Sequence, residues 1–173
     1  MPDNRANRGR VAAVVEMQLV GVRVEMPTNN PIVLLREADG AHRVLPIFIG
    51  PVEATAIAFA LQGVVTPRPM THDLLKDLLG ALGVGVDRIV ITELRERTFY
   101  AEIEMSSGGS SSKVSSRPSD AIALAARLGT PIFASEAVLD EAAVSVSDDD
   151  EEEDEVERFR EFLEGVNPED FAS

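Results

Sequence analysis

Arg117-Pro-Ser-Asp-Ala-Ile-Ala-Leu-Ala-Ala-Arg-Leu-Gly129 has an echo 67 residues earlier in the chain. Without gaps, Pro51 falls on Pro118, Glu53 on Asp120, Ala54 on Ala121, Ala56 on Ala123, Ile57 on Leu124, Ala58 on Ala125 and Leu61 on Leu128. Each copy starts with proline at a first helical position, where the missing N–H costs nothing. Each places a carboxylate in the first turn, near the positive end of the helix dipole. Each then carries an apolar stripe at helical spacing: Ala54, Ile57, Ala58, Leu61 and Ala121, Leu124, Ala125, Leu128. The spacing predicts helices over 51–62 and 118–129, two copies of one unit.

Working outward, residues 14–26 alternate in polarity and read as a long strand. Pro27-Thr-Asn-Asn-Pro31 is a turn, Ile32–Arg36 a second strand, and Arg43–Ile49 a third that leads into the first helix. Val86–Leu94 and Thr98–Met105 read as a hairpin across Arg95-Glu-Arg97, and a short strand near Val114 leads into the second helix. Ser106–Ser112 is all Ser and Gly, the composition of a flexible loop. Between the copies, Thr71 is the expected N-cap of a helix to about Leu82, with Leu75, Leu78, Leu79 and Leu82 on one face. After the second copy, Pro131-Ile-Phe133 reads as a buried strand and Ser135 as the cap of a short helix. The expected fold is α+β: mixed β-sheets with packed helices, built on an internally duplicated β-β-β-α unit.

Of 173 residues 45% are hydrophobic, enough for one core, and the formal net charge is −14. The charge is uneven: residues 147–173 hold 13 acids and 2 bases, residues 1–146 hold 17 acids and 14 bases. Asp148–Glu155 is a run of eight acids that self-repels and reads as a disordered linker over 147–155. It tethers an expected amphipathic helix, with Val156, Phe159, Leu163 and Val166 on one side, in a tail over 156–173. Residues 1–13 read as a disordered arm and 14–146 as the folded domain. The chain has no cysteine, which excludes disulfides, thiol nucleophiles and Cys-based zinc sites and fits a reducing cytoplasm. No apolar run approaches the ~18 residues that span a bilayer. Phosphate-loop, dinucleotide-binding, HExxH and GxSxG motifs are absent.

Four separated motifs carry a family resemblance. They are Leu45-Pro-Ile-Phe-Ile-Gly-Pro-Val-Glu-Ala54, Arg68-Pro-Met-Thr-His-Asp-Leu-Leu75, Thr98-Phe-Tyr-Ala101, and Arg117-Pro-Ser-Asp-Ala-Ile-Ala-Leu124 with Pro131-Ile-Phe133. In order and spacing this set resembles the bifunctional nuclease domain family over roughly residues 16–145. The ending from Phe159 to Phe171 is similar to the tail of actinobacterial members. The resemblance implies an α+β fold, oligomerisation and cleavage of both RNA and DNA.

Phosphodiester hydrolysis commonly uses a divalent metal held by carboxylates. Glu53 and Asp120 occupy equivalent repeat positions and are the candidate ligands for Mg²⁺ or Mn²⁺. His72 and Asp73, at a helix start, are the candidate proton acceptors. Adjacent helical residues point about 100° apart, so these two cannot orient one another. Arg68 and Arg117 are the candidate phosphate contacts. Against each role stands a plain one: first-turn carboxylates stabilise helices by ~0.3–1 kcal/mol, and Arg117 can pair locally with Asp120. The sequence reading is a metal-assisted nuclease of low intrinsic activity, cytoplasmic, a homodimer or higher homo-oligomer, with nucleic acid as substrate and no membrane partner. The alternative is a non-catalytic oligomeric module for binding or regulation.

Overall fold

The computed structural model describes residues 12–145. Most of the N-terminal arm, the acidic linker and the C-terminal helix of the sequence reading lie outside the described residues.

The strands form a single mixed sheet. β1 (Val14–Glu25), β2 (Asn30–Glu37) and β3 (Val44–Phe48) run as an antiparallel meander, as do β4 (Gly85–Arg95), β5 (Thr98–Ser107) and β6 (Ser110–Ser116). β7 (Ile132–Ser135) lies between the meanders, giving the order β3-β2-β1-β7-β4-β5-β6. It pairs antiparallel to β1 and parallel to β4, so β1 and β4 point in opposite directions. Each meander leads into a helix, α1 (Pro51–Gln62) in the first half and α3 (Pro118–Leu128) in the second. The β-β-β-α order of both halves is therefore present, with strand directions reversed about β7. The register of β1 is interrupted between Leu19 and Gly21, and that of β4 between Val86 and Arg88 and again between Ile91 and Glu93. Val20 and Asp87 keep the spacing of the helical echo, while the second bulge of β4, at Thr92, has no counterpart in β1.

The hairpin turns differ. β4 and β5 join through Glu96 and Arg97, both at positive φ (49° and 63°), the pattern of a type I′ turn. β1 and β2 need four residues. The Ser/Gly stretch is not the flexible loop its composition suggested. Ser107 pairs with Ser110 across Gly108-Gly109, and β6 continues along β5 to Ser116. The glycines supply φ values of 56° and 82° that serine would adopt only with strain. β6 is an edge strand with nearly all its side chains exposed, so no apolar alternation marked it.

α1 and α3 pack on each other, α1 over β1 and β2, α3 over β4 and β5. Ala54, Ile57, Ala58, Ala121 and Leu124 are fully buried, as are Leu35, Leu45, Ile89 and Ile91 beneath them. Burial of one such large aliphatic side chain contributes about 1.5–3 kcal/mol. The stripe ends sooner than its spacing implied, because Leu61 and Leu128 are exposed at the helix ends.

α2 (Thr71–Ala81) packs on α3. Its N-cap is Met70 and not Thr71: the Asp73 carboxylate accepts the Met70 backbone N–H at 3.0 Å, which holds the chain one residue earlier. His72 is buried, and Leu75 and Leu79 pack on the core. Leu78 and Leu82, expected on that face, are exposed together with Leu74. A helix with leucines on two sides can bury only one of them against a single neighbour. α4 (Glu136–Ala142) is capped by the Ser135 hydroxyl, which accepts the Val138 N–H at 3.3 Å.

Candidate functional site

α1 and α3 begin in the same way. Gly50 and Arg117 are extended N-caps, and Pro51 and Pro118 follow as first helical residues. Glu53 and Asp120 therefore stand in first turns, where the helix dipole favours negative charge. The packing of α1, α2 and α3 brings these ends together with the start of α2.

Asp120 is the centre of the cluster. Its Oδ2 accepts Arg117 Nε at 2.7 Å, and its Oδ1 accepts Arg117 Nη2 at 3.1 Å. His72 Nε2 lies 3.0 Å from the same Oδ1. Arg117 Nη1 reaches Glu53 Oε1 at 3.1 Å. Burial pushes the Asp120 carboxyl up, but hydrogen bonds from Arg117 and His72 outweigh it and hold the group below the usual aspartate range. Hydrogen bonding by Asp120 first, and by Glu53 after it, raises the Arg117 guanidinium above its ordinary value. An ionised Asp120 only accepts, so the His72 Nε2–H donates to it. His72 is 9% exposed. The arrangement is a carboxylate–imidazole pair with an arginine closing the carboxylate's other side.

Of the six residues singled out in the sequence, Glu53, His72, Arg117 and Asp120 converge. Asp73 stands apart from them. Its Oδ1 accepts Arg127 Nε at 2.6 Å and its Oδ2 accepts the Met70 N–H, so both oxygens are engaged. Burial raises the Asp73 carboxyl, and the bonds from Arg127 and Met70 pull it below its ordinary value. Arg127 also donates to the carbonyls of Ala56 at 3.0 Å and Ala123 at 2.9 Å, so one buried guanidinium ties α1, α2 and α3 together. The sequence offers no signal for this, since a basic residue in a helix's last turn is ordinary. Arg68 is exposed, with no ion pair among the described residues.

The donor set is only part of what a divalent ion needs. Glu53 and Asp120 supply carboxylate oxygens, but Arg117 bridges them. Among the described residues, no three of His, Asp and Glu are grouped so as to hold a metal ion. The residues as arranged do not fit Mg²⁺ or Mn²⁺; binding one would require Arg117 to leave at least one carboxylate.

Arg117 also lines a cleft of about 490 Å³. Phe48, Arg97, Phe99 and Ser119 contribute to its wall, while Glu53, His72 and Asp120 do not. Arg117 is thus the link between the buried pair and open surface. No helix of the described residues is long and apolar enough to cross a membrane.

Residues 33–147 match the bifunctional nuclease domain. Over 165 residues the chain is 50% identical to an uncharacterized protein of Mycobacterium tuberculosis, covering 91% of this chain and 98% of the relative. It is 28% identical over 106 residues to bifunctional nuclease 1 of Arabidopsis thaliana, covering 60% of this chain and 33% of that protein. Bifunctional nuclease 2 of the same plant is 30% identical over 103 residues, covering 58% of this chain and 31% of its own length. The similarity to the plant nucleases thus takes in about a third of each.

Proposed function

The chain belongs to the bifunctional nuclease domain family, and from that premise we propose that it is a nuclease hydrolysing phosphodiester bonds in RNA and DNA. The observation that carries the reading is the junction of Glu53, His72, Arg117 and Asp120, which joins three helix starts far apart in sequence.

Each residue has a task there. Asp120 orients His72 and stabilises the imidazolium that forms when Nδ1 takes a proton from the attacking water. The water oxygen bonds to phosphorus, the bond to the leaving oxygen breaks, and that oxygen picks up a proton. Arg117 uses three of its five N–H donors on Asp120 and Glu53, and the other two remain for phosphate. Glu53 holds the guanidinium from the far side. Asp73 acts on α2's start rather than on substrate. Arg68 is a second phosphate contact, from exposed surface.

The test is cleavage of RNA and of single-stranded DNA by highly purified protein, in EDTA and in Mg²⁺ or Mn²⁺, beside His72→Gln. Cleavage should survive EDTA and fall by about 10²–10⁴-fold in the variant. Undiminished cleavage in His72→Gln overturns the roles given. Cleavage abolished by EDTA and restored by Mg²⁺ or Mn²⁺ would return Glu53 and Asp120 to the role of metal ligands, with Arg117 displaced.

The mutual neutralisation of Glu53, Arg117 and Asp120 also suits a non-catalytic oligomeric binding or regulatory module. That reading gains if neither nucleic acid is cut under any of these conditions. Association is supported by the outward face of α2, where Leu74, Leu78 and Leu82 are 50%, 51% and 72% exposed. We place the protein in the cytoplasm as a homodimer or larger homo-oligomer. Light scattering that finds only an 18.6 kDa species would contradict the assembly.

A further inference from the structure

We propose that the cleft beside Arg117 is a nucleotide subsite, taking the base and phosphate of one unpaired nucleotide of a single strand. The base lies against Phe48, and the phosphate meets Arg97 and the Ser119 hydroxyl. The proposal rests on the nuclease reading for its choice of ligand, and it assigns residues that the catalytic cluster does not use.

Four observations point to this occupant. First, the lining holds two arginines and no Asp or Glu; Arg117 is balanced by Glu53 and Asp120 behind the wall, so the uncompensated charge is that of Arg97. Charge of one sign in a concave site draws an anion. Second, Arg97 has no acidic partner among the described residues and is exposed in the tight turn between β4 and β5. Third, Ser119 is 6% exposed as a residue, but its hydroxyl lines the open cleft and makes no hydrogen bond among the described residues. It stands one residue into α3, beside N–H groups that the helix leaves free. Fourth, Phe48 at the end of β3 is 58% exposed. An isolated anion has no use for an exposed aromatic ring, whereas a nucleobase stacks on one.

The volume of about 490 Å³ suits one nucleotide but not a duplex. A base paired within a helix keeps both faces covered by its neighbours, so stacking on Phe48 requires it to be unpaired. Arg117, which lines the cleft and also bonds to Asp120, joins the subsite to the His72–Asp120 pair.

The test measures binding apart from cleavage. A fluorescein-labelled decathymidylate with phosphorothioate linkages, which resists hydrolysis, is titrated by anisotropy at several salt concentrations. The expected result is that Phe48→Ala weakens binding roughly tenfold. Arg97→Asn, whose side chain tolerates the left-handed backbone, should weaken binding and reduce the salt slope by about 0.7, the loss of one phosphate contact on a single strand. Ser119→Ala should weaken it less. The same sequence as a duplex should bind more weakly, and polyphosphate should compete poorly. Binding that is unchanged in both Phe48→Ala and Arg97→Asn overturns the subsite, as does a duplex that binds as well as the strand. Wild-type protein that cuts nucleic acid while these variants bind normally would leave the nuclease reading standing without this subsite. Binding with the stated dependences in a protein that cuts nothing would do the reverse.

Discussion

Arg43 and Arg117 each sit among carboxylates, but the two regions are built for different ends. Arg43 donates to Glu37 at 2.6 and 3.0 Å, to Glu136 at 2.8 Å and to Asp140 at 3.2 Å, and its own backbone N–H meets Glu37 at 2.8 Å. It joins the end of β2 to α4, and Glu37 is only 4% exposed. The Arg43 hydrogen bond holds the Glu37 carboxyl below its ordinary value, against the opposing effect of burial. Every carboxylate around Arg43 faces it, and no histidine is bonded there. Arg117 is the more exposed of the two, shares its carboxylate with a buried imidazole and opens onto a cleft. An arginine among acids is therefore no mark of a site. A proton acceptor and an accessible cleft on the same guanidinium are what separate the two.

Removal of the Arg43 side chain should show the largest effect on stability. Arg43→Ala leaves Glu37 buried without its partner and should cost roughly 3 kcal/mol in urea unfolding, with cleavage per folded molecule unchanged. Loss of cleavage at unchanged stability would blur the comparison. Arg127→Leu should follow at about 2 kcal/mol, since the Asp73 carboxylate and the two helix carbonyls lose their donor. Restored stability in a Asp73→Leu, Arg127→Leu double variant would assign the cost to the stranded Asp73.

Acid acts on both regions in the same direction. Glu37 and Asp120 both have folded values below their ordinary ones of 4.5 and 3.8. Their stabilisation is thus complete above those values and lost as pH falls through the lowered folded ones. Unfolding free energy should drop below about pH 4.5, and the drop should shrink in Glu37→Gln. An equal acid drop in wild type and variant would remove Glu37 from the account. Gly50→Ala is the smallest change. Its backbone is ordinary for alanine, but the added Cβ would run into the Glu53 carboxylate. The Glu53–Arg117 pair should open, at a cost of about 1 kcal/mol or less, with a modest fall in cleavage. Nuclear magnetic resonance of the Arg117 side chain reads this directly.

The same contrast shows what was legible in the sequence. The two helices were plain because proline, a first-turn acid and an alanine/leucine stripe recur together, and Glu53, Arg117 and Asp120 were found through that echo. The meeting of His72 with Asp120 was not legible, since it depends on α2 packing on α3 and residues 48 apart carry no mutual spacing. Asp73, a candidate proton acceptor at the start of α2, is engaged by Arg127 and the Met70 N–H, and no spacing in the sequence marks the Arg127 contact. The Ser/Gly stretch hid β6 because an edge strand needs no apolar face. Arg97 and Ser119 went unnoticed because the cleft they share is formed by the end of β3, the β4–β5 turn and the start of α3.

The most direct measurement compares Asp120→Asn with Glu37→Gln in one experiment, recording cleavage rate and unfolding free energy for both. Asparagine at position 120 keeps the shape but removes the charge that fixes His72's proton on Nε2. A rate lower by about 10²-fold or more is expected in Asp120→Asn, with a loss of stability smaller than that of Glu37→Gln. Glu37→Gln should lose roughly 2 kcal/mol of stability and keep its rate. Wild-type cleavage in Asp120→Asn, or equal rate losses in both variants, would contradict the claim that the Arg117 cluster carries function and the Arg43 cluster only holds the fold.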